Sequence, residues 1–276
     1  MSVLVVGECL VDVVERPDGS VVEAAGGSPA NVAVGLGRLG VPVSLVTSYG
    51  DDPRGRLLQD HLLASKVVPQ VHFAPTSVAR ARLDQTGAAT YSFDLRWELG
   101  ELDAGTAKWL HVGSLGATLA PGAAVVRRLV EEVDCPVSYD PNCRPSLMGP
   151  DVREQVQELV ALSDVVKLSA EDAEFLHPGL PHAELAARWL ALGPTLVVVT
   201  LGADGADAWT PEGHLHVDVP DGAPVVDTVG AGDAFMSGLL WSLLEDGQDV
   251  RAALRTASQV ARRTCERPGA DPPWSL

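Results

Sequence analysis

The sequence predicts a three-layer α/β/α fold, a mainly parallel sheet between two helical layers, with a small β-sheet lid. Three observations predict it. Short β-branched runs recur along the chain, amphipathic segments separate them, and two insertions read as hairpins instead. Alternating strands and helices build βαβ units, and strands buried on both faces read as continuous apolar runs.

The first strand is 3–6, VLVV. Residues 11–25 then read as two short strands around Arg16-Pro17-Asp18-Gly19-Ser20, with Asp18-Gly19 as the turn. A helix follows. Ser28 is a good N-cap and Pro29 suits the first turn. Ala30, Val32, Ala33, Val34, Leu36 and Leu39 form its apolar face, and Gly40 before Val41-Pro42 stops it. The remaining strands are 43–47, 110–112, 137–139, 165–168 and 196–200. The helices among them are 52–65, 123–133, 152–162 and 183–192, and two more, 231–245 and 250–265, close the pattern. The second insertion, 79–95, reads as two strands around Asp84-Gln85-Thr86-Gly87. Four strands from two insertions suffice for a small sheet over the main one, a candidate lid. No repeat, low-complexity segment or linker interrupts the chain, so 1–276 reads as one domain with a lid at 11–25 and 79–95.

Composition excludes several classes. Lys and Arg total 20 against 37 Asp and Glu, a net charge of −17 that disfavours nucleic acid as a partner. Cys9, Cys135, Cys143 and Cys265 are scattered, with no C-x-x-C pair, as expected of free thiols in a reducing compartment. Glu8 and Asp12 interrupt the apolar N-terminus, which reads as a strand rather than a signal peptide. No run approaches the ~20 apolar residues of a membrane span. A cytoplasmic protein that engages no membrane is the expectation.

Residues 35–40, Gly-Leu-Gly-Arg-Leu-Gly, spell the dinucleotide fingerprint G-x-G-x-x-G. That fingerprint must follow a strand and open a helix. Here it lies inside a helix that has already begun, so the glycines serve packing and an NAD-dependent oxidoreductase is set aside. The head of that helix, with Gly26, Gly27 and Asn31, offers backbone N–H groups and an amide to a hydroxyl or an anion. A plain capped helix is the alternative.

A second helix start carries more chemistry. In VVDTVGAGDAFMSGLL, Gly230, Ala231 and Gly232 cluster three N–H groups into an anion hole, with a dipole charge of roughly +0.5 behind it. Asp233 follows in the first turn. It suits a general base for an attacking hydroxyl, or else merely complements the dipole.

These two stretches resemble the paired signatures of the ribokinase-like (phosphofructokinase-B type) carbohydrate kinases. GECLVD, SYGDDPRGR, HVGSL, DPNCRPSL, KLSAEDAEFL, VVVTLGADGA and ALRTASQVARRTCERPGA resemble further family motifs in the family's order, closest to the fructokinase branch. The resemblance spans essentially the whole chain. It implies transfer of the γ-phosphoryl of MgATP to a hydroxyl of a small sugar, fructose or a related ketose.

The resemblance also implies roles. Asp233 is the base, and Gly230, Ala231 and Gly232 are the anion hole. Asp12, Gly26, Gly27 and Asn31 bind sugar hydroxyls, although Asp12 taken alone reads as an exposed strand-end acid. Thr200, Gly202 and Gly205 form the nucleotide-phosphate turn. Ser258 stands near the adenine, where many relatives carry Asn. Ser169 and Asp172 occupy an N-x-x-E motif that orders water around Mg²⁺, with Asp one methylene shorter than the usual Glu and Glu171 beside it. Lys167 meets phosphate or is a strand-end charge. Asn142 and Arg144 match a strand-end motif, and Arg144 is the candidate cation near substrate and transferred phosphate. Asp227 and the Val229 carbonyl, with 268–270, match where some relatives hold K⁺. Phe93 and Arg96 in the lid are candidate substrate contacts, but the Phe-Tyr-Arg run common in the branch is missing. The family often pairs through its lids, so a homodimer is expected. A nucleoside or 2-keto-3-deoxy sugar acid kinase is the rival within the fold, and a catalytically silent sugar-binding regulator the rival outside it.

Overall fold

Alternate residues of the first strand, β1 (Val3–Val6), enter different cores. Val3 and Val5 pack on one side of the sheet, Leu4 and Val6 on the other. The computed structural model describes residues 2–86, 88–244 and 249–275. Gly87 of the predicted turn and Glu245, the predicted helix end, lie outside the described residues.

After β1 come the hairpin β2 (Leu10–Glu15) and β3 (Val21–Gly26), then α1 (Ser28–Arg38), β4 (Val43–Tyr49), α2 (Pro53–Ala64) and β5 (Val67–Phe73). A second hairpin, β6 (Val78–Leu83) and β7 (Ala89–Asp94), precedes β8 (Trp109–Gly113), α3 (Gly122–Glu132), β9 (Val137–Asp140) and α4 (Val152–Ala161). Then follow β10 (Val165–Ser169), α5 (Ala170–Leu176), α6 (His182–Leu190), β11 (Leu196–Thr200), β12 (Ala206–Thr210) and β13 (Gly213–Val217). The helices α7 (Ala231–Leu244) and α8 (Val250–Thr264) complete the order.

The large sheet has the order β13-β12-β11-β10-β9-β8-β1-β4-β5, antiparallel only where β11, β12 and β13 meet. Helices α1, α2, α7 and α8 cover one face, and α3 to α6 the other. The small sheet, β3-β2-β6-β7, is built from the two insertions as expected.

Four details differ from the sequence reading. Strand β5 was not anticipated: its Pro69 breaks the strand pattern, and an edge strand tolerates it. The hairpin β12–β13 and the short α5 were also missed. Ser28 is not the N-cap of α1. Gly27 is, at φ 104°, a conformation that favours glycine, and a Cβ there would meet the Glu8 carbonyl oxygen at 2.5 Å. Gly35 and Gly37 do serve packing: a Cβ on either would lie 2.3 Å from Ser237 Oγ of α7 or from the Ser65 carbonyl oxygen.

Candidate active site

The N-termini of α1 and α7 meet at one carboxylate. The Ser28 hydroxyl donates to Asp233 Oδ1 at 2.6 Å, and the Asn31 amide donates to Oδ2 at 2.8 Å. Freed from capping, Ser28 turns its side chain toward α7. Asp233 is only 8% exposed. Asn31 was assigned to the sugar. One of its amide protons goes to Asp233, leaving the other and its carbonyl for a ligand.

Gly230 enters α7 at φ +74°, and a Cβ there would lie 2.5 Å from the Ala270 Cβ. The predicted triple hole needs correction. The turn into the helix sends the Ala231 N–H to the Thr228 carbonyl at 3.2 Å, whereas the N–H groups of Gly230 and Gly232 have no acceptor among the described residues. The Asp233 N–H likewise has no acceptor among the described residues, so the hole is the N–H groups of Gly230, Gly232 and Asp233 at a helix dipole's positive end.

Lys167 stands beside it. Its Nζ lies 3.0 Å from where a Cβ on Gly232 would sit. It is buried and bonds Asp140 Oδ2 at 2.8 Å. Lys167 is thus a buried, paired charge that lines the cavity. Burial disfavours the ammonium, but Asp140, together with Asp233 and Asp172, outweighs this and holds the lysine above its ordinary range. Burial raises the Asp140 carboxyl to about 6 against the pull of Lys167. The sequence reading passed over Asp140. The register of β9 on β10 pairs Val165 with Ser138 and Val166 with Tyr139, so the next step sets Lys167 beside Asp140. Two neighbouring strands ending in opposite charges were the available signal.

A cavity of about 750 Å³ opens from the hole. Every residue assigned to the nucleotide lines it: Lys167, Ser169, Thr200, Gly202, Gly205, Gly230, Gly232 and Ser258. Val225, Val229, Phe235 and Ala261 give its apolar wall, with Arg262 and Cys265 near Ser258, none of them assigned to the nucleotide from the sequence. Arg144 also lines it, and its guanidinium bonds Asn142 Oδ1 at 2.8 Å.

Arg144 reaches the other half of the site electrostatically, acting on Glu8 and Asp12. Asp12 is open to solvent yet surrounded by protein, as at the mouth of a cleft. That enclosure raises its carboxyl, and Arg144 pulls it back. A Cβ on Gly26 would lie 2.1 Å from Asp12 Oδ2, so a glycine there leaves the carboxylate its place. Glu8 is buried, accepts the Gly116 N–H at 2.6 Å and is pushed up to about 7 by burial. The register places Asp12, Ala79 and Phe93 in one row of the small sheet, hence on one face. Arg96 stands apart: it bonds the Leu95 carbonyl and faces Asp94 at 3.4 Å, and it does not line the cavity.

Asp172 and Glu171, the two residues proposed for Mg²⁺ from the sequence, both line the cavity. Asp172 closes a capping box with Ser169 and takes the Cys143 N–H at 2.7 Å. Three of its roughly four acceptor positions are filled. The shorter side chain folds back on its own helix start, so Asp172 is mainly a brace. Exposed Glu171 lines the cavity. Asp227 accepts the N–H groups of Val229 and Gly269 at 3.0 and 2.8 Å, tying together the two loops assigned to K⁺. No cluster of three or more His, Cys, Asp or Glu among the described residues is placed to hold a metal. No helix among them is long and apolar enough to cross a membrane.

The model of the pfkB family of carbohydrate kinases matches residues 1–275. A fructokinase of Rhizobium leguminosarum bv. trifolii is 33% identical over 98% of this chain and 87% of its own. An ATP-dependent 6-phosphofructokinase of Thermoanaerobacterium thermosaccharolyticum is also 33% identical, over 94% of this chain and 86% of its own. A fructokinase double mutant of Vibrio cholerae O395, solved with fructose, ADP and potassium ion, superposes with a TM-score of 0.86 at 29% identity, over 98% of this chain and 93% of its own. Fold and site together define an ATP-dependent sugar kinase with the ribokinase-like α/β architecture. The chain belongs to the pfkB family of carbohydrate kinases.

Proposed function

We propose that the protein phosphorylates a free ketose, fructose or a close relative, from MgATP. The observation that carries the reading is the carboxylate of Asp233. It is held by Ser28 and Asn31 beside the Gly230–Gly232 hole, at the inner end of the nucleotide cavity.

Each step follows from the residues. The sugar lies between α1 and the small sheet, with Asp12 accepting from its hydroxyls and Gly27 and the remaining Asn31 groups completing the contact. The triphosphate lies along Thr200, Gly202 and Gly205 and ends at the hole. Asp233 takes the proton of the attacking hydroxyl as the new P–O bond forms and the bond to the ADP oxygen breaks. The N–H groups of Gly230 and Gly232, with Lys167 and Arg144, hold the charge on the transferred group. Mg²⁺ arriving with the nucleotide would neutralise phosphate charge through water held by Glu171. Asp227 and its loops would hold K⁺ beneath the hole. The small sheet closes over the sugar and keeps water from competing as acceptor. Its exposed Val22, Tyr91 and Phe93 also offer an apolar surface to a second copy of the chain.

A substrate panel with coupled ADP detection, run with and without K⁺, tests the reading. Turnover on fructose above other hexoses, pentoses, nucleosides and 2-keto-3-deoxy sugar acids is expected. Fructose 6-phosphate belongs in the panel, because the matched kinases include one that acts on it at equal identity. Turnover confined to a nucleoside or a sugar phosphate would overturn the ketose. Sugar binding without phosphoryl transfer would support a silent regulator.

A further inference from the structure

The nucleotide half of the site contains a buried acid with no direct task in the chemistry above. Asp140 ends β9, is fully buried, and directs Oδ2 at the Lys167 ammonium 2.8 Å away. Its other oxygen accepts the Asn142 N–H at 3.2 Å, the start of the loop that carries Arg144. One carboxylate therefore touches both the lysine and the loop of the arginine that flank the hole. Lysine rotates freely about four side-chain bonds, so a buried partner is what fixes its ammonium at one point.

We propose that Asp140 is a positioning residue for phosphoryl transfer: it pins Lys167 beside Gly232, where the transferred group gains charge. This rests on the kinase reading above. The pinned ammonium helps the transition state more than it helps ground-state nucleotide, because it does not swing out to meet ADP. The groups that face Asp140 are Lys167 of β10, Asp172 of α5 and Asp233 of α7.

The test is a double-mutant cycle with Asp140→Asn and Lys167→Met. Asp140→Asn is expected to lower kcat by about 10- to 100-fold and to change the ADP dissociation constant, measured by calorimetry, by less than about threefold. In the Lys167→Met background it should change kcat by less than about twofold, because the effect passes through the lysine. Multiplying losses would overturn the proposal, as would unchanged kcat in Asp140→Asn. If Asp140→Asn does not fold, Asp140→Glu takes its place: it keeps the charge but shifts it by one methylene, so kcat should still fall with ADP affinity held within about threefold, and unchanged kcat would overturn the proposal. The affinity readout needs no sugar. Failure of the ketose reading would instead appear as an inactive wild type with these affinities intact.

Discussion

The two sheets use their faces in opposite ways. The large sheet is covered by helices on both sides, and its site groups are fixed by neighbours: Asp233 by α1, Lys167 by Asp140, Asp172 by its own helix start. The small sheet buries Val11 and Val13 on one face, while Asp12, Phe93 and Tyr91 stand on the other with solvent around them. Under the proposed function, catalytic geometry would belong to the first sheet and acceptor choice to the second. A group held by packing tolerates little change. A group on an open face is free to vary with the ligand it meets.

Substitutions can break that division. The largest effect is expected from Asp233→Asn, a fall in kcat of about 10²- to 10⁴-fold, with sugar and nucleotide still bound by calorimetry. Near-normal turnover would remove the base assignment. Next is Glu8, at the junction of the two sheets. Its carboxyl is raised from 4.5 to about 7, so the folded state holds a proton that the unfolded chain releases. Its contribution to stability is therefore favourable at low pH and declines as pH rises through that window, by up to about 3 kcal/mol. Glu8→Gln should flatten the change in Tm between pH 5 and 7.5, and an unaltered slope would refute the assignment. Asp12→Asn should raise KM for the sugar about tenfold, with KM for ATP and the melting temperature held. An equal rise in both KM values would move Asp12 out of the sugar site. The smallest effect is expected at Arg54, whose ion pair with Glu23 at 2.6 Å ties α2 to β3. The pair is partly exposed and worth less than about 1 kcal/mol, so Arg54→Ala should shift KM for the sugar by about twofold.

What the sequence disclosed follows the same division. The helix starts of α1 and α7 were legible because glycine and proline mark backbone conformation locally. The cavity was legible because its glycines stand after β11, as Gly202 and Gly205 do, or at the start of α7, as Gly230 and Gly232 do. Ser28 was misread, since a hydroxyl at a helix start serves a cap or a distant carboxylate and only the fold decides which. Asp140 escaped because its meaning depends on the register of β9 against β10. Phe93 was placed on the face of Asp12, but Arg96 was drawn off by Asp94, a choice no local pattern records. The strand β5 was hidden by a proline that only an edge position accommodates.

The bond from Ser28 to Asp233 joins positions 205 residues apart. Bringing such distant segments together carries a high loop-closure cost and depends on the assembled fold. The Asp233 carboxylate is thus oriented only once the first and last thirds of the polypeptide have docked. A fragment that stops before α7 holds Ser28 and Asn31 without Asp233, and one that starts after α1 holds Asp233 without its two donors. Catalysis in this chain is a property of closure between distant segments, and complementation of two separately made pieces would restore it only if they reunite.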